Sequence, residues 1–196
     1  MRPDASCHNR QHGFTLTEVL VAMVISGIIM ASMFTFFINQ RRYYATQEQI
    51  TEMVQGARAG MDMMTREITL AGYNPTGASF SGITYNTSQL RLLTDLNGNG
   101  DTADANEDIT YSYDASNLRI VRNTGGGNQP FVENVPAGGL VFAYLDASGN
   151  ATTTTANIRQ IRLTIQVQTS KPDRAYRSNN GYRTYTLTSV VKPRNL

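Results

Sequence analysis

Residues 19–38 read VLVAMVISGIIMASMFTFFI, 20 positions without a formal charge. Wound as an α-helix, such a run is about 30 Å long, the thickness of a bilayer's hydrocarbon core. The run predicts a membrane-spanning helix over residues 14–38, with a long helix buried in a soluble core as the alternative. A secretory signal peptide needs a cleavage site of small residues after the apolar run. None is convincing, because the run continues through MFTFFINQRRYY into further helical sequence. Arg2 and Arg10 precede the span and Arg41 and Arg42 follow it, so the flanking charge is ambiguous. The short polar leader favours an N-terminus kept in the cytoplasm and a head outside it.

Glu18 stands at the mouth of this run. A carboxylate in lipid costs several kcal/mol unless it finds a cation or a donor. Close to the positive end of a helix it also gains a little from the dipole. The plainer reading places it at the level of the lipid headgroups. Gly27 and Ser26 sit mid-span, where they weaken the helix or admit a close neighbour.

The string Gly13-Phe14-Thr15-Leu16-Thr17-Glu18-Val19-Leu20-Val21-Ala22 closely resembles the cleavage and methylation signal of type IV prepilins and type II secretion pseudopilins. The resemblance implies that a membrane aspartyl protease, the prepilin peptidase, cuts after Gly13 and methylates the new amine of Phe14. Residues 1–13 are then a removable leader. Glu18 is then the residue that pairs with the N-terminus of a neighbouring subunit during filament assembly. The physical argument asks for the same partner, since a new α-amine at Phe14 is a cation beside Glu18. Many major pilins carry a proline within the membrane helix, and this span has none.

Loss of the leader removes Arg2, Arg10 and Asp4, leaving 15 basic and 14 acidic side chains, a net +1 against +2 for the whole chain. With no long basic tract, the charge does not point to nucleic acid. Cys7, His8 and His12 all lie in the leader. The mature chain thus has no disulfide, no thiol chemistry and no histidine base or ligand, a composition suited to life outside the cytoplasm. No Walker loop, serine elbow or zinc spacing occurs, and the Gly125-Gly126-Gly127 run lacks the lysine of a phosphate loop. Enzyme activity is not expected.

Beyond the span, helical pattern continues over residues 39–71. Ile50, Met53, Val54, Ala57, Met61, Met64, Ile68 and Ala71 recur every three or four positions and form one stripe, with Glu52, Arg58, Asp62, Arg66 and Glu67 largely off it. Such a stripe must bury against something, and the protein's own sheet is the expected partner, with other filament helices as a second. The methionines at 53, 61, 63 and 64 suit core packing, with an adaptable docking face as the alternative. Gly56 and Gly60 are mild breakers that mark a bend or close packing. Gly72-Tyr73-Asn74-Pro75 supplies a C-cap glycine and then a proline that cannot continue the helix. Span and stalk together predict a rod of roughly 55 residues, about 80 Å long.

Past Pro75 the pattern turns to short strands between Gly, Asn and Thr turns, predicted at 82–85, 89–93, 109–114, 117–121, 140–145, 158–168 and 182–191. Residues 159–167 alternate cleanly; 184–190 do so less well. With no second long helix to cover a parallel sheet, the expected fold is α+β and pilin-like. In it a long N-terminal helix packs on an antiparallel β-rich head over residues 72–196.

The segment Asp95-Leu96-Asn97-Gly98-Asn99-Gly100-Asp101 is the ligand candidate. Oxygen side chains at alternating positions, followed by a glycine for a tight turn, match the opening half of a calcium loop. Asp104, Asn106, Glu107 and Asp108 follow within reach. A full EF-hand places glutamate where Asn106 stands, so Glu107 comes one residue late, and no helix pair flanks the loop. The reading is Ca2+ held by Asp95, Asn97, Asn99, Asp101 and Glu107 in a loop of another kind. A polar hairpin turn kept soluble by its acids is the alternative.

A narrower resemblance follows from residues 161–167, 183–191 and the terminal Pro193-Arg194-Asn195-Leu196, which look like the C-terminal half of PilW-type minor pilins. Met64-Thr65-Arg66-Glu67-Ile68 and Ala71-Gly72-Tyr73 resemble the helix end of that family, and residues 95–107 its acid-rich loop. The resemblance implies a minor subunit that joins sibling minor pilins to start a type IV pilus and sits at its tip. Its partners would be the prepilin peptidase, other minor pilins, the major pilin and an inner-membrane assembly platform. A type II secretion pseudopilin that initiates a pseudopilus for protein export is the alternative. An adhesive or electron-carrying filament component is a third class, poorly supported because no haem motif exists.

Overall fold

The computed structural model describes residues 13–196. Cys7, His8, His12 and the charges at 2, 4 and 10 lie outside the described residues. Helix α1 spans Leu16–Leu70, 55 residues. The chain divides into two compact units, Met1–Ala45 and Thr46–Leu196, each with its own character.

In the first unit, α1 carries the apolar run. Residues 14–37 are all exposed, including Val19, Leu20, Ile25, Ile28, Phe34 and Phe37. An apolar surface of this extent needs a nonaqueous partner. The helix is long and apolar enough to cross a membrane. Ser32 and Thr35 donate their hydroxyls to the carbonyls of Ile28 and Ala31 four residues back, which satisfies both polar groups within the helix itself.

The second unit joins the last turns of α1 to seven strands. Strands β1 (Gln89–Leu93), β2 (Asp108–Asp114), β3 (Arg119–Asn123) and β4 (Asn128–Val132) form one antiparallel sheet in that order. Strands β5 (Leu140–Leu145), β6 (Gln160–Gln168) and β7 (Thr184–Val191) form a second. One core draws on both sheets and on Ala57, Met61, Met64, Ile68 and Ala71 of the helical stripe. Ile50, Met53 and Val54, nearer the start of this unit, are half-buried, and Met63 is exposed off the stripe. The period of 2 is clearest in β6, where Ile161, Leu163, Ile165 and Val167 are buried and Arg162 is exposed. Each such side chain contributes about 1.5–3 kcal/mol on burial. Strand β7 also alternates, with Tyr185, Leu187 and Ser189 turned half inward.

Three features depart from the expected pattern. The predicted strand at 82–85 is reduced to a single bridge, Ile83 to Leu92. Gly82 packs directly on the end of α1, where an added Cβ would lie 2.3 Å from the Gly72 backbone. Strand β4 was not expected, because Pro130 and the polar Asn128 and Gln129 break its pattern; it occupies a sheet edge, where proline's missing N–H is tolerated. The Gly125-Gly126-Gly127 run is the turn that joins it to β3, with Gly125 and Gly127 at φ 98° and 96°. Finally, Glu67, placed off the helical stripe, is partly buried. It accepts the Tyr111 hydroxyl of β2 and, at 2.7 Å, Nη2 of Arg122 from β3.

The end of α1 is tied into the head. Gly72, at φ 79°, donates its N–H to the Leu93 carbonyl at the end of β1. The C-terminal segment then satisfies carbonyls that the last helical turn leaves open: Arg194 N–H donates to Thr69 and Asn195 Nδ2 to Leu70. These anchors set the starting point of the loop between β1 and β2.

Candidate functional site

Two places carry the residues singled out in the sequence, one in each unit. At the N-terminus, Gly13, Phe14 and Thr15 precede the helix, and both Gly13 and Phe14 are exposed. The Gly13–Phe14 peptide bond therefore lies outside regular structure, where a protease can reach it. Thr15 is the N-cap. Its N–H and its hydroxyl both donate to Glu18 Oε2, at 2.9 and 2.8 Å, and its Oγ1 accepts the Glu18 N–H at 3.3 Å.

This reciprocal arrangement is a capping box, in which a threonine and a glutamate three residues on satisfy each other's backbone N–H. Glu18 thus has local donors in this form of the chain as well as the amine that cleavage would create at Phe14. The pattern Thr15-Leu16-Thr17-Glu18 was present in the sequence as threonine followed at the third position by glutamate.

The second place is the acidic loop. Thr94 N–H donates to the Glu107 carbonyl at 2.9 Å and closes the loop at its neck. Asp95 is fully buried just inside. Its Oδ1 accepts the N–H groups of Gly98 (2.8 Å) and Asn99 (3.1 Å), and its Oδ2 accepts Gly100 N–H (3.1 Å) and the Thr76 hydroxyl (3.0 Å). A carboxylate has about four lone-pair sites, and here all four are used. Asp95 thereby organises the turn through three backbone N–H groups and the Thr76 hydroxyl.

Glu107 is also buried, at 1% exposure. Its Oε1 accepts Leu96 N–H at 2.7 Å and Asn97 N–H at 3.1 Å, while its Oε2 is buried without a hydrogen-bond partner. Asp101 and Asp104 are exposed, and carboxylate oxygens of Asp101, Asp104 and Glu107 lie within 4.8 Å of one another. Asn97 and Asn99 both donate Nδ2 to Asp104 Oδ2, at 2.7 and 2.8 Å. Their Oδ1 atoms accept the N–H groups of Asn99 and Asp101. Of the other nearby acids and amides, Asp108 is held by Arg91 and Asn106 accepts from Arg122 at 3.5 Å. The structure brings together Asp101 and Glu107 with Asp104, and keeps Asn97 and Asn99 beside them.

Comparison with known proteins bears on the N-terminal place. Residues 8–34 match the family model described as the prokaryotic N-terminal methylation motif. A type IV-like pilin from Thermus thermophilus has a similar structure, with a TM-score of 0.46 and 11% identity, covering 74% of this chain and 98% of that one. No curated protein matches the chain. The chain thus carries a prokaryotic N-terminal methylation motif at the head of one long helix, followed by antiparallel β-sheets.

Proposed function

We propose that this protein is a PilW-type minor pilin that helps to start assembly of a type IV pilus and sits at its tip. The observation that carries this reading is the N-terminal arrangement. An accessible Gly13–Phe14 bond stands immediately before a capped helix whose apolar first part is exposed and whose first turn carries Glu18. In that role the precursor is a single-pass protein of the bacterial inner membrane with its head on the outer side. Prepilin peptidase removes residues 1–13 and methylates Phe14. The mature chain then leaves the membrane into a filament by exchanging lipid for the helices of other subunits. It acts as a structural subunit and not as an enzyme, and its contacts are with sibling minor pilins, the major pilin and the assembly platform.

Glu18 is the polar group that makes the transfer selective. Within its own helix its carboxylate accepts the N–H and the hydroxyl of Thr15. In a filament the methylated amine of a neighbour offers a full positive charge, a stronger partner than neutral donors.

The test is deletion of the gene with complementation, measuring sheared surface pili and exoprotein secretion side by side. Loss of pili with secretion intact is the expected result. Loss of secretion alone would move the protein to the type II secretion pseudopilins, which share the N-terminal signal. Complementation with Glu18→Ala should leave cleavage intact and abolish recovery of pili; full recovery would remove the assigned role of that carboxylate.

A further inference from the structure

The loop between β1 and β2 gathers negative charge without a basic partner. Asp101, Asp104 and Glu107 place carboxylate oxygens within 4.8 Å of one another. Among the described residues, the ion pairs engage other acids: Asp62, Glu67, Asp108, Asp114, Glu133 and Asp173. Negative charges this close repel one another, and a cation placed between them relieves the repulsion.

The second observation is independent of the clustering. Glu107 is buried, and its Oε2 has no donor at all. A buried polar atom normally has a partner, and leaving a charged one without any costs more than a neutral one. Its other oxygen is pinned by two backbone N–H groups, so the side chain cannot swing out to water without breaking both.

We propose that this loop binds a divalent cation, calcium in preference to magnesium, through Asp101, Asp104 and Glu107. Glu107 is the fixed ligand, already oriented by Leu96 and Asn97 N–H. Asp101 and Asp104 are the exposed ligands through which the ion enters. The Nδ2 groups of Asn97 and Asn99 converge on Asp104 Oδ2 and supply partial positive charge there.

Calcium is the better fit because an irregular loop of carboxylates and amides suits its variable coordination. Magnesium demands near-octahedral geometry and keeps most of its water. Two exposed ligands of three place the affinity with extracellular calcium modules, at about 0.1–1 mM. Asp95 folds the turn that presents the site.

The full-length chain in detergent, stripped of metal with a chelator, is titrated calorimetrically with calcium chloride and, in parallel, with magnesium chloride. Saturable calcium binding is expected, with magnesium weaker. Asp101→Asn and Asp104→Asn should each weaken calcium binding by about tenfold or more, since charge count sets affinity in such loops. Both residues are exposed, and thermal unfolding of each metal-free variant checks that its fold is kept. Asp62→Asn, in a surface ion pair of α1, should leave binding unchanged. Glu107→Gln should melt at a higher temperature than the stripped parent chain and lose the rise in Tm that calcium gives it. Absence of saturable calcium heat in the parent chain, or unchanged affinity in both aspartate variants, overturns the site. Magnesium binding as tight as calcium overturns the preference.

Discussion

Replacing Glu67 by alanine should be among the most damaging single changes available in the head. Its carboxylate accepts Arg122 Nη2 at 2.7 Å and Nε at 3.2 Å, and it also accepts the Tyr111 hydroxyl. The side chains of Arg122 and Glu67 are only 18% and 14% exposed, and Tyr111 is completely buried. The substitution leaves a guanidinium without its counter-charge and a hydroxyl without its acceptor. Breaking one side of a buried pair costs about 3–5 kcal/mol. Because some water reaches Arg122, we place the loss near the lower end, about 3 kcal/mol. The surface pair Arg66–Asp62 on the same helix, with side chains 76% and 63% exposed, is worth about 0.3–0.5 kcal/mol and serves as the control. For a chain of this size a 3 kcal/mol loss lowers Tm by about 6–12 °C. The measurement is thermal unfolding in detergent, followed by near-ultraviolet circular dichroism of the tyrosines. Adding Arg122→Ala to Glu67→Ala should do little further harm, since the two residues act as one unit. A Tm within a degree of the parent chain for Glu67→Ala would refute the reasoning.

Other perturbations separate close packing from mere helix propensity. At Gly60 an added Cβ would lie 2.4 Å from Val132 Cγ2, whereas nothing lies within 4 Å of the corresponding point on Gly56. Gly56→Ala should stabilise the helix by about 0.5–1 kcal/mol, and Gly60→Ala should destabilise by about 1–3 kcal/mol; a denaturation midpoint that moves the same way in both would be the wrong outcome. Burial raises the Tyr144 hydroxyl from 10.0 to about 12, and burial together with the Glu67 hydrogen bond holds Tyr111 well above the ordinary tyrosine range. The unfolded chain then loses these protons first as pH rises. Their contribution is complete below pH 10 and fades above it, through about 12 for Tyr144. An alkaline unfolding midpoint that shifts upward in Tyr144→Phe checks the sign.

Much of the architecture was legible because it depends on local periodicity. The stripe from Ala57 to Ala71 is buried where its spacing placed it, and the alternation in β6 appears as alternating burial. Gly72 ends the helix with a positive φ, as a C-cap glycine should. The capping box at Thr15 and Glu18 was equally legible, since its two members are three residues apart. Strand β4 was hidden because its stability comes from pairing with β3 and not from its own composition.

The candidate sites divide along the same line. Gly13, Phe14 and Glu18 fall within the N-terminal methylation motif matched over residues 8–34, and the sequence by itself determined that motif, the apolar run, the helix stop and the antiparallel character of the head. Tertiary structure alone decided which acids lie inside. Glu67 is drawn in by Tyr111 and Arg122, 44 and 55 residues further on. Asp95 is buried and accepts the N–H groups of the turn it caps, and Glu107 is left with one oxygen unsatisfied. Residue type and spacing fix what a carboxylate can do. Its partners come from distant parts of the chain, and only their positions in space determine whether its lone pairs are filled, paired with a cation or left open.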